Sequence, residues 1–206
     1  MAAGVLPASR VVVADAVAWA AEHLGPADDA ASDDGADTAR ADWLTAFDVN
    51  VASAVRVAAA ARPALAASGH GSVVNFTSIS SSVAQTGRWV YPACKAALVQ
   101  ITRSMAMDYA AEGIRVNSVS PGWVWSKIMD TVSEHDRAHT DGVAAPFHLT
   151  GRVADPIEVG RVVAFLCSAA APVVTGADWA ADGGYSAMGP EQAAPAIPLL
   201  APAGTE

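Results

Sequence analysis

The chain has 206 residues, 52% of them hydrophobic, enough to bury one substantial core, and one compact domain is expected. Its formal net charge of -9 excludes a nucleic-acid or anionic-membrane surface, since both need clustered Lys and Arg. The opening "MAAGVLPASRVVVADAVAWAAEHLG" carries Arg10 and Asp15 within its apolar part and has no cleavage pattern, and no apolar run in the chain reaches the ~18 residues that a membrane span needs, so a soluble cytoplasmic protein is expected.

In chain order, "SRVVVAD" (9–15) is a β-branched run ending on an acid and predicts a buried strand. "AVAWAAEHLG" predicts a helix stopped by Gly25-Pro26, and residues 26–40 are acidic, small and aperiodic, a loop. Helix resumes from Asp42 to about Ala67, with Trp43, Phe47, Val51, Val55 and Ala58 near a helical period. "GSVVNFT" (71–77) is a strand entered through a glycine turn and running into a serine cluster. Tyr91 to Ala111 predicts a helix with Cys94, Leu98, Ile101 and Met105 on one face and Gly113 as its stop. "IRVNSVSPG" (114–122) is a strand ending at a Pro-Gly turn. Residues 155–170 carry a strong helix start, with Asp155 as cap, Pro156 in the first turn and Glu158 at the third position. "TGADWAADGG" (175–184) is a turn, a short strand and a glycine pair, and residues 191–206 form a Pro/Ala-rich tail. Cys94 and Cys167 lie far apart in apolar runs, which predicts two reduced, buried thiols.

Strands alternating with helices predict an α/β fold, a doubly wound parallel sheet covered by helices, whose ligands bind at the carboxyl ends of the strands. Ser78 follows one strand, Pro121-Gly122 follows another, and Tyr91 opens the helix between them, so these landmarks gather at one sheet edge. Tyr91 and Lys95, at i and i+4, share a helix face. A tyrosine of pKa about 10 is a poor acid or base at neutral pH, but a nearby ammonium favours phenolate and brings the group toward the working range. A serine hydroxyl at Ser78 could hold a substrate oxygen while Tyr91 delivers or removes its proton. Asn50 stands inside a predicted helix although asparagine is a mediocre helix former. "RVNSVSPGWVWS" places a tight turn and the hydroxyl of Ser126 just after a strand.

The segments "WLTAFDVN" (43–50), "GSVVNFTSIS", "YPACKAALVQITRSMAMDYAAEGIRVNSVSPG", "GRVADPIEVGRVVAFLCS" and "VTGADWAADGG", in that order, resemble the short-chain dehydrogenase/reductase family over roughly residues 42–190. The resemblance implies a Rossmann-like domain over residues 1–190 and a tetrad of Asn50, Ser78, Tyr91 and Lys95. Tyr91 would be the acid/base, and Lys95 would hold the nicotinamide ribose and lower the tyrosine pKa. Ser78 would orient the substrate oxygen, with Ser80, Ser81 and Ser82 as alternatives, and Asn50 would bend its helix and hold a water in the proton relay. Pro121, Gly122, Val124 and Ser126 match the segment that borders the nicotinamide carboxamide.

Two family segments have no match here: the glycine-rich turn T-G-x-x-x-G-x-G, which approaches the cofactor pyrophosphate, and the N-N-A-G segment. The expected domain is therefore N-terminally incomplete. "RVVVAD" is similar to the family's second strand, with Asp15 accepting the adenosine ribose hydroxyls and favouring NAD over NADP. It could alternatively move into the central position of the missing first strand.

Trp123, Trp125 and the segment 127–150, with Phe147 and His148, occupy the family's variable substrate-covering region and favour a ring-bearing or apolar substrate. His135, His139 and His148 show no zinc spacing and are expected to be solvated or core side chains. The resemblance also implies a homo-oligomer, a dimer or tetramer, pairing through the helices that bear Asn50 and Tyr91, with Ala54, Ala58, Ala61, Ala96 and Ala97 as the small-residue faces. The expected activity is interconversion of a secondary alcohol and a ketone with NAD or NADP. The alternatives are a cofactor-deficient, non-catalytic partner subunit, and a site reused for hydride-free dehydration or isomerisation.

Overall fold

Valine-rich runs build the sheet. In the computed structural model, which describes residues 12–14, 37–190 and 192, the described strands are β1 (Val12–Ala14), β2 (Ser72–Phe76), β3 (Arg115–Pro121) and β4 (Asp178–Ala181). All neighbours pair in parallel in the order β1-β2-β3-β4, with Val73 opposite Val116 and Val119 opposite Trp179. β1, from the run "RVVVAD", pairs in parallel with β2 and stands at one end of the described order. Asp15, the helix expected after it and, Gln192 apart, the tail expected over residues 191–206 lie outside the described residues.

The helices are α1 (Arg40–Phe47), which continues through a π-helical turn (Asp48–Ala52) into α2 (Ser53–Ser68), then α3 (Val90–Tyr109), α4 (Lys127–Val132), α5 (Arg137–Ala144) and α6 (Pro156–Cys167). Alternation along β2 and β3 splits the core into two layers. Val73 and Val116 point to one face and pack with Leu65 of α2, Met105 and Tyr109 of α3, and Ile114. Val74 and Val119 point to the other, against Val159, Val163 and Leu166 of α6. Each such side chain, fully buried, contributes roughly 1.5–3 kcal/mol.

Polar residues buried in the strands bond to neighbouring elements. Asn75 donates to the Thr102 hydroxyl at 2.9 Å, Asn117 to the Val174 carbonyl at 2.9 Å, and Ser118 to the Asp178 carboxylate at 2.6 Å. These bonds lock the sheet to α3 and to β4 and fix the register that brings the strand ends level.

Two expectations, on the alanine faces and on Cys167, need correction. The continuous helix Arg40–Ser68 contains an 18-residue window of mean hydropathy 1.3, long and apolar enough by composition to cross a membrane, although only 28% of it is buried. Alanine supplies much of that apolarity, and Ala58 and Leu65 lie in the core, so the helix serves as a layer of the domain. Ala54 and Ala58 are likewise buried against the chain's own core and offer no face to a second copy. Cys94 is buried as expected, but Cys167 at the end of α6 is only half-buried, and burial still pushes its thiol pKa up.

Candidate active site

The site is assembled where β2 and β3 end. β2 stops at Phe76, and Ser78 caps a short 3-10 turn (Ile79–Ser81), its hydroxyl accepting the Ser80 N–H at 3.2 Å. The Ser80 hydroxyl also donates to Ser78 Oγ at 2.9 Å. With two bonds accepted, Ser78 Oγ keeps its own proton for another acceptor. Ser78 lines a cleft of about 1330 Å³, and Ser80, Ser81 and Ser82 do not. Ser80 supports Ser78 from behind instead of competing with it.

α3 carries the next two groups. Pro92 sits in its first turn, where an amide N–H has no intrahelical partner to lose. Tyr91 reaches the cleft, and Lys95, one turn on, is 1% exposed and turned inward. Its ammonium donates to the Phe76 carbonyl at 3.0 Å and lies 5.3 Å from the centroid of the Tyr91 ring. The end of β2 therefore fixes Lys95 beneath Tyr91.

Asn50 lies in the π-helical turn between α1 and α2. Its side chain donates to the Ala46 carbonyl at 3.0 Å, and the Ser53 hydroxyl donates to the Val49 carbonyl, while the Ser53 N–H reaches back five residues to Asp48. Side chains thus satisfy carbonyls that the wider turn releases. Asn50 is 7% exposed, and its Oδ1 accepts no hydrogen bond from any described residue. Val51 in the same turn packs with Val90 and Cys94 of α3, which ties the Asn50 turn to the helix bearing Tyr91 and Lys95.

β3 contributes the far wall. Pro121 ends the strand opposite Ala181 and is half-buried, outside the cleft lining, whereas Gly122, Val124 and Ser126 line it. A side chain at Gly122 would meet the Asp182 backbone at 2.9 Å, so only glycine permits this close approach. Burial pushes the Asp182 carboxyl pKa up, but hydrogen bonds from Ser186 and Gly184 outweigh it and hold the group below the usual carboxylate value. Val124 bridges Ala154, and the Ser126 hydroxyl accepts the Met129 N–H at 3.2 Å as the cap of α4.

Trp123, Phe147 and Tyr185 make an aromatic wall, with Trp123–Phe147 centroids 5.7 Å apart and Phe147–Tyr185 6.2 Å apart. Behind it His148 is buried: its Nδ1–H donates to the Ala144 carbonyl at 2.9 Å, which leaves Nε2 to accept the Trp123 N–H at 3.3 Å. His148 is thus a core clamp on the wall. His135 pairs with Asp130 at 2.7 Å, and among the described residues no cluster of ligating side chains could hold a metal ion. Trp125 does not reach the cleft and packs under the Arg137 guanidinium at 5.1 Å.

Three lining residues have no signal in the motifs. Tyr185 comes in through the Gly183-Gly184 turn, and a glycine pair followed by an aromatic is the only hint it leaves. Gln85 and Arg88 lie in the irregular loop before α3. Of the residues that the resemblance assigns to the nicotinamide, Tyr91, Gly122, Val124 and Ser126 line the cleft and Lys95 is anchored beneath it. Among the described residues none forms a glycine-rich turn for a pyrophosphate.

A family profile described as enoyl-(acyl carrier protein) reductase matches residues 13–186. The chain is 38% identical over 146 residues to cis-4-hydroxycyclohexanecarboxylate dehydrogenase from Sinomonas cyclohexanicum, covering 71% of this chain and 57% of that protein. It is 34% identical to cyclohexanol dehydrogenase from an Acinetobacter species, covering 70% of this chain and 55% of the relative. Among solved structures, acetoin dehydrogenase from Enterobacter cloacae aligns with a TM-score of 0.66 at 29% identity, over 76% of this chain and 60% of that one. The chain therefore spans a little over half the length of the curated relatives it matches.

Proposed function

The chain belongs to the short-chain dehydrogenase/reductase family, and on that premise we propose that it is a cytoplasmic oxidoreductase that interconverts a secondary alcohol and a ketone with NAD or NADP. The observation that carries the reading is the stacking of groups at one point. Ser78 and Tyr91 share the cleft, and Lys95 is held 5.3 Å from the Tyr91 ring by the Phe76 carbonyl. Tyr91 removes the alcohol proton or returns it to the ketone. Ser78 donates its remaining proton to the substrate oxygen. Lys95 holds positive charge beneath the tyrosine, which favours its phenolate. Asn50 acts as a positioning residue whose buried, unpaired Oδ1 suits a water in the proton relay.

Tyr91, Lys95, Val124 and Ser126 would hold the nicotinamide end of the cofactor, with Pro121 and Gly122 shaping the turn behind it and Asp15 as the candidate ribose acceptor. When bound, the nicotinamide takes or gives the hydride. The aromatic wall of Trp123, Phe147 and Tyr185 favours a ring-bearing substrate, in keeping with the cyclic alcohols named for two of the relatives. The chain pairs with further copies through the helices bearing Asn50 and Tyr91, where Leu44, Phe47 and Val57 stand exposed.

The test is a titration of NADH and NADPH into the 206-residue chain, followed by oxidation of cyclohexanol with each oxidised cofactor. Binding of one cofactor, with turnover that falls about 10²–10⁴-fold in Tyr91→Phe, is expected. A chain that binds neither cofactor and turns over no alcohol is a non-catalytic partner subunit. Product formed without any cofactor would instead assign the site to dehydration or isomerisation.

A further inference from the structure

From Arg88 and its surroundings we infer that the substrate carries a carboxylate, bound by the Arg88 guanidinium; the inference rests on the alcohol-oxidising reading above and narrows its substrate class. Arg88 and Gln85 line the same cleft as Tyr91, and each carries a buried polar atom, Arg88 Nε and Gln85 Oε1, bonded to no described residue. Arg88 is only half-buried, but its Nε is shut off from water and bonded to no described residue, an N–H that a ligand's acceptor would satisfy. Its ring contact is informative: the Arg88 guanidinium lies 5.3 Å from the centroid of the Tyr91 ring, on the residue that bears the reacting hydroxyl. The charge therefore stands beside the residue that bears the hydroxyl.

The rest of the lining agrees with an anion attached to a hydrophobic ring. Trp123, Phe147 and Tyr185 supply apolar surface for the ring, and Arg88 supplies a planar fork that fits a carboxylate. Two acids, Glu134 and Asp136, also line the cleft, but Asp136 is engaged as the cap of α5, accepting the His139 N–H at 2.8 Å. The unpartnered Gln85 Oε1 is an acceptor and cannot bond a carboxylate; only the Gln85 NH₂ group can donate to one, so Arg88 carries the anion site.

The experiment uses the full chain and two readouts. Calorimetry compares cyclohexanecarboxylate with cyclohexanecarboxamide, a neutral analogue of the same shape, for wild type, Arg88→Gln and Arg88→Lys, and needs no cofactor. Kinetics with NAD and NADP compare 4-hydroxycyclohexanecarboxylate with cyclohexanol. Wild type is expected to prefer the carboxylate by about tenfold or more, Arg88→Gln to lose that preference, and Arg88→Lys to keep part of it. A wild type that does not distinguish the two ligands, or an Arg88→Gln chain that keeps the full preference, overturns the inference. Equal losses with both ligands also overturn it and leave Arg88 as a support for the Tyr91 ring. Turnover of cyclohexanol without carboxylate preference sinks this inference alone. Carboxylate preference in binding without any turnover sinks the oxidoreductase reading and leaves the anion site standing.

Discussion

Lys95 shows how much one residue's environment adds to its spacing. The four-residue interval from Tyr91 was legible in the sequence, but an i, i+4 pair is equally compatible with a solvated charge. In the structure Lys95 is 1% exposed, and its position is set by a carbonyl from another element, Phe76 of β2. Lys95→Met is therefore expected to act twice. It leaves that carbonyl without its partner, a loss of about 1–3 kcal/mol in urea unfolding, and it lowers turnover much further than the destabilisation explains. Full activity in a destabilised Lys95→Met chain would remove Lys95 from the chemistry. Ser78 was legible in the same way, and its preference over its serine neighbours became a matter of which hydroxyl meets the cleft. Arg88 and Tyr185 were not legible, because a lone arginine in a loop and an aromatic after a glycine pair carry no spacing signal.

At the scale of elements, the turn around Asn50 explains a misreading of the helix face. Trp43, Phe47, Val51, Val55 and Ala58 follow one helical period, which predicts one buried stripe. The π-helical turn inserts an extra residue and rotates the helix beyond it, so Val51, Ala54, Ala58 and Leu65 are buried while Phe47 is 48% exposed and Val55 37%. The start of α6 came out as expected. Glu158 reaches back to accept the Asp155 N–H at 2.8 Å and pairs with Arg152 at 2.7 Å. The Arg152 bond first, and then the backbone bond, lower the Glu158 pKa from 4.5 to about 2. A carboxylate with a depressed folded-state pKa contributes stability above its unfolded value and loses it as pH falls through the folded one. Wild type should therefore melt above Glu158→Gln at neutral pH, and the gap should close between about 4.5 and 2. A gap independent of pH would show that charge is not what matters there. Gly122→Ala tests the third junction: with the Asp182 backbone 2.9 Å from the new carbon, a cost of about 1–3 kcal/mol is expected by thermal unfolding, together with weaker nicotinamide binding.

For the whole molecule, the sheet order β1-β2-β3-β4 brings the ends of β2 and β3 side by side and leaves the Arg40–Ser68 helix with apolar side chains facing outward. If copies pair over that helix, Leu44→Asp with Phe47→Asp lowers the mass measured by light scattering while the circular dichroism of the fold is retained; an unchanged mass places the interface elsewhere. The sequence by itself determined the alternation of strands and helices, the family and the candidate residues that gather at the strand ends, because helical and strand periods, caps and motif spacing are local and survive in one dimension. Only the tertiary structure decided that Ala54 and Ala58 face inward, that β1 lies at the edge of the described sheet, that Trp123 and not Trp125 meets the cleft, and that Arg88 stands beside Tyr91. Those outcomes depend on which elements pack together and on a one-residue shift of helix phase. The interval between "YPACK" and its surroundings carries no trace of either.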